Sequence, residues 1–305
     1  MKHLLSMDDV SPPEIEELLD LADGFVDVLA RDVPKVPTLR GKTIALLFYE
    51  NSTRTRLSFD RAAKALSADV LTFTPGGSSV SKGESLKDTA LTLKAMGPDL
   101  MVVRHGATGA PWRVADWTGL PVINAGDGAH QHPTQALLDV LTVRRHFGAI
   151  AGLTVAIVGD IRHSRVARST AGALVALGAR VTLVAPRTLL PVDISDWKVS
   201  TADSLDEVLE SLDVVYLLRI QQERGGGDVF PSISEYVGRF GLTRARAARL
   251  RPEAVVLHPG PMNRGVEVDP AVADGPRALV AAQVSNGIAV RMAVLFRLLG
   301  PEVAA

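Results

Sequence analysis

The sequence has no cysteine among its 305 residues. Disulfides, zinc–thiolate sites and cysteine nucleophiles are therefore excluded, and the composition fits a cytoplasmic protein. Net charge is nearly absent too: 33 Lys and Arg stand against 34 Asp and Glu, a formal −1. That balance argues against a general nucleic-acid binder, and any basic site must be local. No apolar run is long enough to span a bilayer. No signal-peptide pattern follows Met1-Lys2-His3, because acids come at Asp8 and Asp9, so no membrane partner is expected. Several chemical signatures are missing as well: the P-loop, the Gly-x-Ser-x-Gly elbow, and any His or carboxylate cluster at metal-ligand spacing. Gly159-Asp160 follows a strand-like run but lacks the later glycines of a dinucleotide turn. Arg162 and Arg165 stand where a backbone would approach a pyrophosphate, so no NAD, metal or other cofactor is expected. Internal repeats and low-complexity tracts are also lacking.

What is present is a core-rich chain, 47% hydrophobic and 22% charged, long enough for two domains or one large α/β domain. Ser11-Pro12-Pro13-Glu14 is a helix start with an N-cap, a proline at the first position and an acid three residues on. Ile15, Leu18, Leu19, Ala22, Phe25, Val26 and Leu29 then mark one apolar face. Beyond Gly41, strands and helices alternate. Strands are predicted at 43–49, 69–73, 99–103, 121–125, 153–158, 180–184, 213–218 and 254–258. Helices are predicted near 54–66, 86–96, 111–117, 134–147, 164–177 and 205–211, the last from a Ser204/Glu207 capping box. Short helices near 232–239 and 244–249 precede a last amphipathic helix carrying Ile288, Met292, Leu295, Phe296 and Leu299. Alternation implies parallel sheets, and two series imply an α/β protein of two doubly wound domains, each a parallel sheet flanked by helices. The split falls near the 134–147 helix.

Ligands of open α/β sheets bind beyond the carboxyl ends of the strands. The residues placed there are strongly biased. Ser52-Thr53-Arg54-Thr55-Arg56 follows the first strand, where a helix begins; free N–H groups, the positive helix end, three hydroxyls and the Arg54 fork together suit an anion. Lys82, Arg104, His132, Arg165, Arg219 and His258 follow later strands. A site gathering Arg54, Lys82, Arg104, Arg165 and Arg219 would carry about five positive charges and need anions to balance them. One phosphate and two carboxylates would do so.

These residues resemble the signatures of the aspartate and ornithine carbamoyltransferase family along nearly the whole chain. Ser52 to Arg56 resembles its phosphate turn, and Val80-Ser81-Lys82-Gly83-Glu84-Ser85 its mobile loop. His132-Pro133-Thr134-Gln135 resembles the carbamoyl-side motif, and Arg219-Ile220-Gln221-Gln222-Glu223-Arg224 the aspartate-side motif. His258-Pro259-Gly260-Pro261-Met262-Asn263-Arg264-Gly265 resembles the late loop between domains. The ornithine branch usually carries cysteines at two of these motifs, where this chain has Thr134 and no Cys. Arg219 and Gln221 suit a carboxylate, so aspartate is the expected acceptor; an ornithine-type or other carbamoyltransferase is the alternative. A non-catalytic scaffold is disfavoured by the joint retention of the site residues.

The resemblance implies transfer of a carbamoyl group from carbamoyl phosphate to the amine of L-aspartate, in pyrimidine biosynthesis. It implies a carbamoyl-phosphate domain at 1–133, completed by 285–305, and an aspartate domain at 134–284, with the active site in the cleft between them. Ser52, Thr53, Arg54 and Thr55 would hold the phosphate, with Arg104 shared between phosphate and carbamoyl oxygen. Thr55, Arg104 and His132 would surround the carbamoyl carbonyl. Gln135 and the backbone near Gly260 and Pro261 would accept from its NH₂. Arg165, Arg219 and Gln221 would bind the aspartate carboxylates. Lys82 and a loop serine, Ser78 or Ser79, would be lent by a neighbouring subunit of a homotrimer; regulatory or other pathway chains are compatible with this reading. Glu50 would pair with Arg165 or Arg224.

Overall fold

The computed structural model describes residues 1–74, 83–220 and 232–301. The elements run α1 (Pro12–Leu29), β1 (Thr43–Phe48), α2 (Thr53–Ala65), β2 (Asp69–Phe73), α3 (Leu86–Ala95), β3 (Leu100–His105), α4 (Ala110–Thr118), β4 (Val122–Asp127) and α5 (Pro133–Phe147). They continue as β5 (Thr154–Val158), α6 (Arg165–Ala176), β6 (Arg180–Val184), β7 (Ser200–Ala202), β8 (Val214–Leu217), α7 (Ile233–Arg239), α8 (Arg244–Arg249), β9 (Val255–Leu257), α9 (Pro270–Ala273) and α10 (Val280–Leu299). The chain divides into two compact units, Met1–Leu138 with Ser285–Ala305, and Asp139–Val284. Each is built on one parallel sheet flanked by helices, the α/β architecture the alternation predicts.

In the first unit the strand order is β2-β1-β3-β4, all parallel. The central strand β1 is buried from Ile44 to Phe48, the continuous apolar run expected when helices cover both sheet faces. Ala45, Leu47, Met101, Val103 and Val122 pack on one face against Ala90 and Leu93 of α3 and Val114 and Ala115 of α4. By the two-residue period, Ile44, Leu46 and Phe48 face the other side. The C-terminal helix α10 returns to α2: the Arg291 guanidinium lies 5.1 Å from the Phe59 ring and donates to Ser58 Oγ at 2.9 Å.

In the second unit the order is β7-β6-β5-β8-β9, again all parallel. Among the departures from the sequence expectation, two lie between β6 and β8. The run 205–211 is not a helix but two 3₁₀ turns, Leu205–Glu207 and Leu209–Ser211, interrupted at Val208. Ser204 Oγ donates to Glu207 at 3.1 Å instead of capping a backbone N–H. Burial of Leu205, Leu209 and Leu212 takes precedence over a regular helix of only two turns. The other departure is β7, a three-residue polar edge strand too short to show a period in sequence. In the first unit, β3 and β4 also run on through Arg104-His105 and Asp127, so these polar residues belong to strand ends rather than to loops.

One arginine is purely architectural. Arg246 on α8 is buried and donates to the carbonyls of Val237, Gly238 and Gly241 at 2.9, 2.5 and 2.8 Å, at the end of α7, and to Asp206 at 2.6 Å. It supplies donors to carbonyls at and just past the end of α7. Arg246→Ala should lower unfolding free energy by about 3 kcal/mol, and Arg246→Lys should not restore it, because one ammonium cannot span the fork. Denaturant midpoints at unchanged slope would measure this; a loss within experimental error would show the cluster to be incidental.

Candidate active site

Each sheet reverses its winding once, and the polar residues gather at the reversal. In the first unit the chain passes from β1 to β2 on one side, then crosses to β3 on the other, which opens a crevice between the carboxyl ends of β1 and β3. Ser52 caps α2 there: its backbone is extended, and its Oγ accepts the Thr55 N–H at 3.4 Å. The first turn of α2 carries no acid, so the positive helix end and Arg54 and Arg56 reinforce one another. Thr55 is buried, Ser52 half-buried, and Thr53 and Arg54 are exposed.

The β1–β3 ladder brings Arg104 to this turn. Arg104 pairs in register with Phe48, and its carbonyl accepts the Tyr49 N–H at 2.8 Å. Its Nη1 donates to the Ala125 carbonyl at 3.1 Å, and its Nε lies 3.5 Å from Glu50 Oε2. Glu50 thus meets a cation of its own unit; Arg224, one of the two partners expected from the resemblance, lies outside the described residues. Next along the chain, His105 sits with its ring 5.1 Å from that of Tyr49, and burial pushes its imidazole below the ordinary value. Charge at this edge therefore comes from the arginines.

His132 is buried and its carbonyl accepts the N–H groups of Gln135 and Ala136 at 2.9 and 3.3 Å, which starts α5. Thr134 is buried and Gln135 half-buried. The turn from β4 to His132 is held by residues that sequence reasoning missed. Asn124 Nδ2 donates to Asp127 Oδ1 at 2.8 Å, and the same oxygen accepts the Gln131 N–H at 3.0 Å. Asp127 Oδ2 accepts the Gly109 N–H at 2.8 Å and meets His130 Nδ1 at 3.2 Å. Gln131 reaches Asp8 at 3.1 Å, and Asn124 reaches the Leu5 carbonyl at 2.9 Å, so the N-terminal segment is pinned to the same turn. The one available signal was the polar pair Asn124 and Asp127 at the end of an apolar strand.

In the second unit the reversal lies between β5 and β8. Gly159 leaves β5 at φ +125°, and a Cβ there would stand 3.0 Å from the Leu218 carbonyl, so glycine lets the two exits run side by side. Ser164 Oγ accepts the Ala167 N–H at 3.1 Å, which makes Arg165 the first residue of α6; Arg165 is buried. Arg219 lies two residues past the end of β8 and is half-buried. The late loop begins at His258, whose Nδ1 accepts the Gly260 N–H at 2.8 Å ahead of a cis Gly260–Pro261 bond. His258 N–H donates to Gln283 at 3.0 Å, and Gln283 donates to Asp139 at 2.8 Å. The other Asp139 oxygen accepts from Tyr216 at 2.7 Å and Thr170 at 3.0 Å. Asp139 and Gln283 lie amid apolar helix faces and carried no sequence signal.

Lys82, Gln221, Ser78, Ser79 and Arg224 lie outside the described residues. Among the described residues, no group of three His, Asp or Glu could hold a metal ion, and no helix is long and apolar enough to cross a membrane.

Asp127 has a measurable signature. Burial pushes its carboxyl up, but the donors from His130, Asn124 and Gly109 outweigh burial and hold it below the ordinary 3.8. An acid depressed in the fold stabilises above its unfolded value, and that stabilisation drains away as pH falls from about 4 through the folded value. Asp127→Asn should be less stable than the parent by about 2 kcal/mol at pH 7, with the gap narrowing below about pH 4. Denaturant midpoints at the two pH values would test it; an equal gap at both would mean the carboxylate's charge is irrelevant.

With this geometry in view, the likenesses to known proteins are specific. Residues 2–145 match the model for the aspartate/ornithine carbamoyltransferase carbamoyl-P binding domain, and residues 151–298 the model for the Asp/Orn binding domain. The aspartate carbamoyltransferase catalytic subunit of Acidothermus cellulolyticus is 59% identical over 300 residues, covering 98% of this chain and 93% of its own length. An aspartate transcarbamoylase structure from Trypanosoma cruzi, in complex with N-(phosphonacetyl)-L-aspartic acid, superposes with a TM-score of 0.90 at 33% identity, covering 98% of this chain and 96% of that one. Another from the same organism, holding carbamoyl phosphate and aspartate, superposes at 0.86 with 32% identity, covering 98% and 97%. On both domains, and across nearly its whole length, this chain belongs to the aspartate/ornithine carbamoyltransferase family.

Proposed function

We propose that the protein is an aspartate carbamoyltransferase, which transfers the carbamoyl group of carbamoyl phosphate to the amine of L-aspartate, giving N-carbamoyl-L-aspartate and phosphate. One observation carries the reading: arginines stand at both sheet reversals, Arg54 and Arg104 in one unit and Arg165 and Arg219 in the other. In the first unit they accompany a helix start suited to a phosphate; in the second they suit carboxylates. The relatives that cover nearly the whole chain bear the same activity in their names.

The roles follow from chemistry. Ser52, Thr53, Arg54 and Thr55 hold the phosphate at the start of α2. The neutral aspartate amine attacks the carbamoyl carbon, and negative charge develops on the carbonyl oxygen. Thr55, Arg104 and His132 donate to that oxygen. Gln135 and the backbone at Gly260 and Pro261 accept from the carbamoyl NH₂. The carbon–oxygen bond to phosphate then breaks, and the departing phosphate takes the amine proton. Arg165, Arg219 and Gln221 bind the aspartate carboxylates, with Lys82 completing the site from a neighbouring subunit. No step calls for a metal or an organic cofactor; positioning and charge supply the acceleration.

Product formation from carbamoyl phosphate, with L-aspartate and L-ornithine run side by side, tests the acceptor. Turnover with aspartate alone is expected; turnover with ornithine alone would overturn the roles of Arg219 and Gln221. Arg54→Ala should fold normally and lose at least about 100-fold in turnover, and near-normal turnover would remove the phosphate turn from the mechanism. The shared-site reading also requires a trimer, so the mass in solution should be three times 32.4 kDa. A fully active monomer by sedimentation would refute the loan of Lys82.

A further inference from the structure

The ladder between β8 and β9 ends at the pair Tyr216–Leu257. Past it β8 stays paired with β5 through Leu217, but no ladder pair joins it to β9. Glu267 takes over that task. It is 1% exposed, and both of its carboxyl oxygens accept from amides of the two exits. Oε1 accepts the Ile220 N–H at 2.9 Å and Asn263 Nδ2 at 3.0 Å. Oε2 accepts the Asn263 N–H at 2.8 Å. Asn263 Nδ2 also reaches the Ile220 carbonyl at 3.4 Å, and the Glu267 carbonyl accepts the Leu242 N–H at 2.9 Å. One buried side chain thus ties the exit of β8 to the late loop, while its own backbone ties that loop to the segment between α7 and α8.

The Ile220 bond matters most. The Ile220 N–H lies in the peptide plane that joins Arg219 to Ile220, so a short bond to it sets the ψ angle of Arg219 directly. Arg219, one of the side chains assigned to the acceptor, thus stands directly beside an amide that Glu267 holds. A carboxylate is unusual in so buried a place, where an unpaired charge would be strongly disfavoured. Burial indeed pushes its carboxyl above the ordinary value, against the pull of the Ile220 and Asn263 amides. Three converging amide donors are what make the buried acceptor workable, and an amide side chain in its place would turn a donor toward one of them.

We infer that Glu267 is a positioning residue for the acceptor amino acid: it does not touch aspartate but orients Arg219. This rests on the proposed reading of the second unit as the aspartate site. The test is steady-state kinetics of the full-length enzyme, with the two substrates varied separately. Glu267→Gln should raise KM for aspartate about tenfold, with kcat at saturating aspartate changed less than about threefold and KM for carbamoyl phosphate unchanged. Asn263→Ala, which removes one donor and keeps the carboxylate, should shift the aspartate KM in the same direction by less, and serves if the first variant fails to fold. A purely structural role would lower the melting temperature and the folded fraction while leaving the aspartate KM as in the parent; that outcome overturns the inference. An equal rise in both KM values would overturn it as well. A parent enzyme without carbamoyl transfer to aspartate would instead sink the functional reading itself, and the two failures are distinct.

Discussion

The structure depends on one constraint: a parallel sheet must reverse its winding somewhere if helices are to cover both faces. Crossovers between parallel strands are right-handed, so a change of direction puts successive helices on opposite faces and parts the loops at the reversal. The first unit does this between β1 and β3, the second between β5 and β8. At those two points the carboxyl ends of adjacent strands lie close together without a helix across them. Backbone amides at a following helix start are then available to a ligand, and side chains from sequence-distant strands become neighbours. Ser52 and Arg104 are brought to one edge in this way, and Arg165 and Arg219 to another.

Holding cations at such an edge is a problem of charge and burial. The protein solves it locally. Arg104 is bounded by Glu50 and by the Ala125 carbonyl, and Arg165 starts a helix whose cap is satisfied by Ser164. Arg246 shows the contrasting use of the same side chain, with its fork consumed by three carbonyls and Asp206. The supporting residues are acceptors rather than cations. Asp127, Asp139 and Glu267 each collect amide or hydroxyl donors from more than one segment of the chain. A buried carboxylate suits that job because it accepts several hydrogen bonds at once, each strengthened by its charge.

Much of this was legible in the chain itself, for definite reasons. The apolar runs of β1, β3 and β5 and the capped starts of α1 and α2 declare themselves by period and by residue type. The serine, threonine and arginine turn at the start of α2 is legible because its chemistry is contiguous: the residues that hold one anion follow one another. Arg104, Arg165 and Arg219 were legible only as a bias, each being a cation near the end of a strand. What stayed hidden was of two kinds. The edge strand β7 and the 3₁₀ turns at Leu205 and Leu209 are too short for a period to outweigh local packing. Asn124, Asp127, Asp139, Gln283 and Glu267 act through partners far away in sequence, as when Asp139 meets Gln283 144 positions later.

The sequence by itself determined the order of strands and helices, the parallel character of the sheets and the chemical identity of the groups at their carboxyl edge. These depend on periodicity, capping and residue type, which are local properties. Only the tertiary structure decided which strands are neighbours, where each sheet reverses, and which buried acceptors hold the loops in place. Those depend on packing and on hydrogen bonds across long separations, where a residue's role is set by the groups it meets and not by those beside it in the chain.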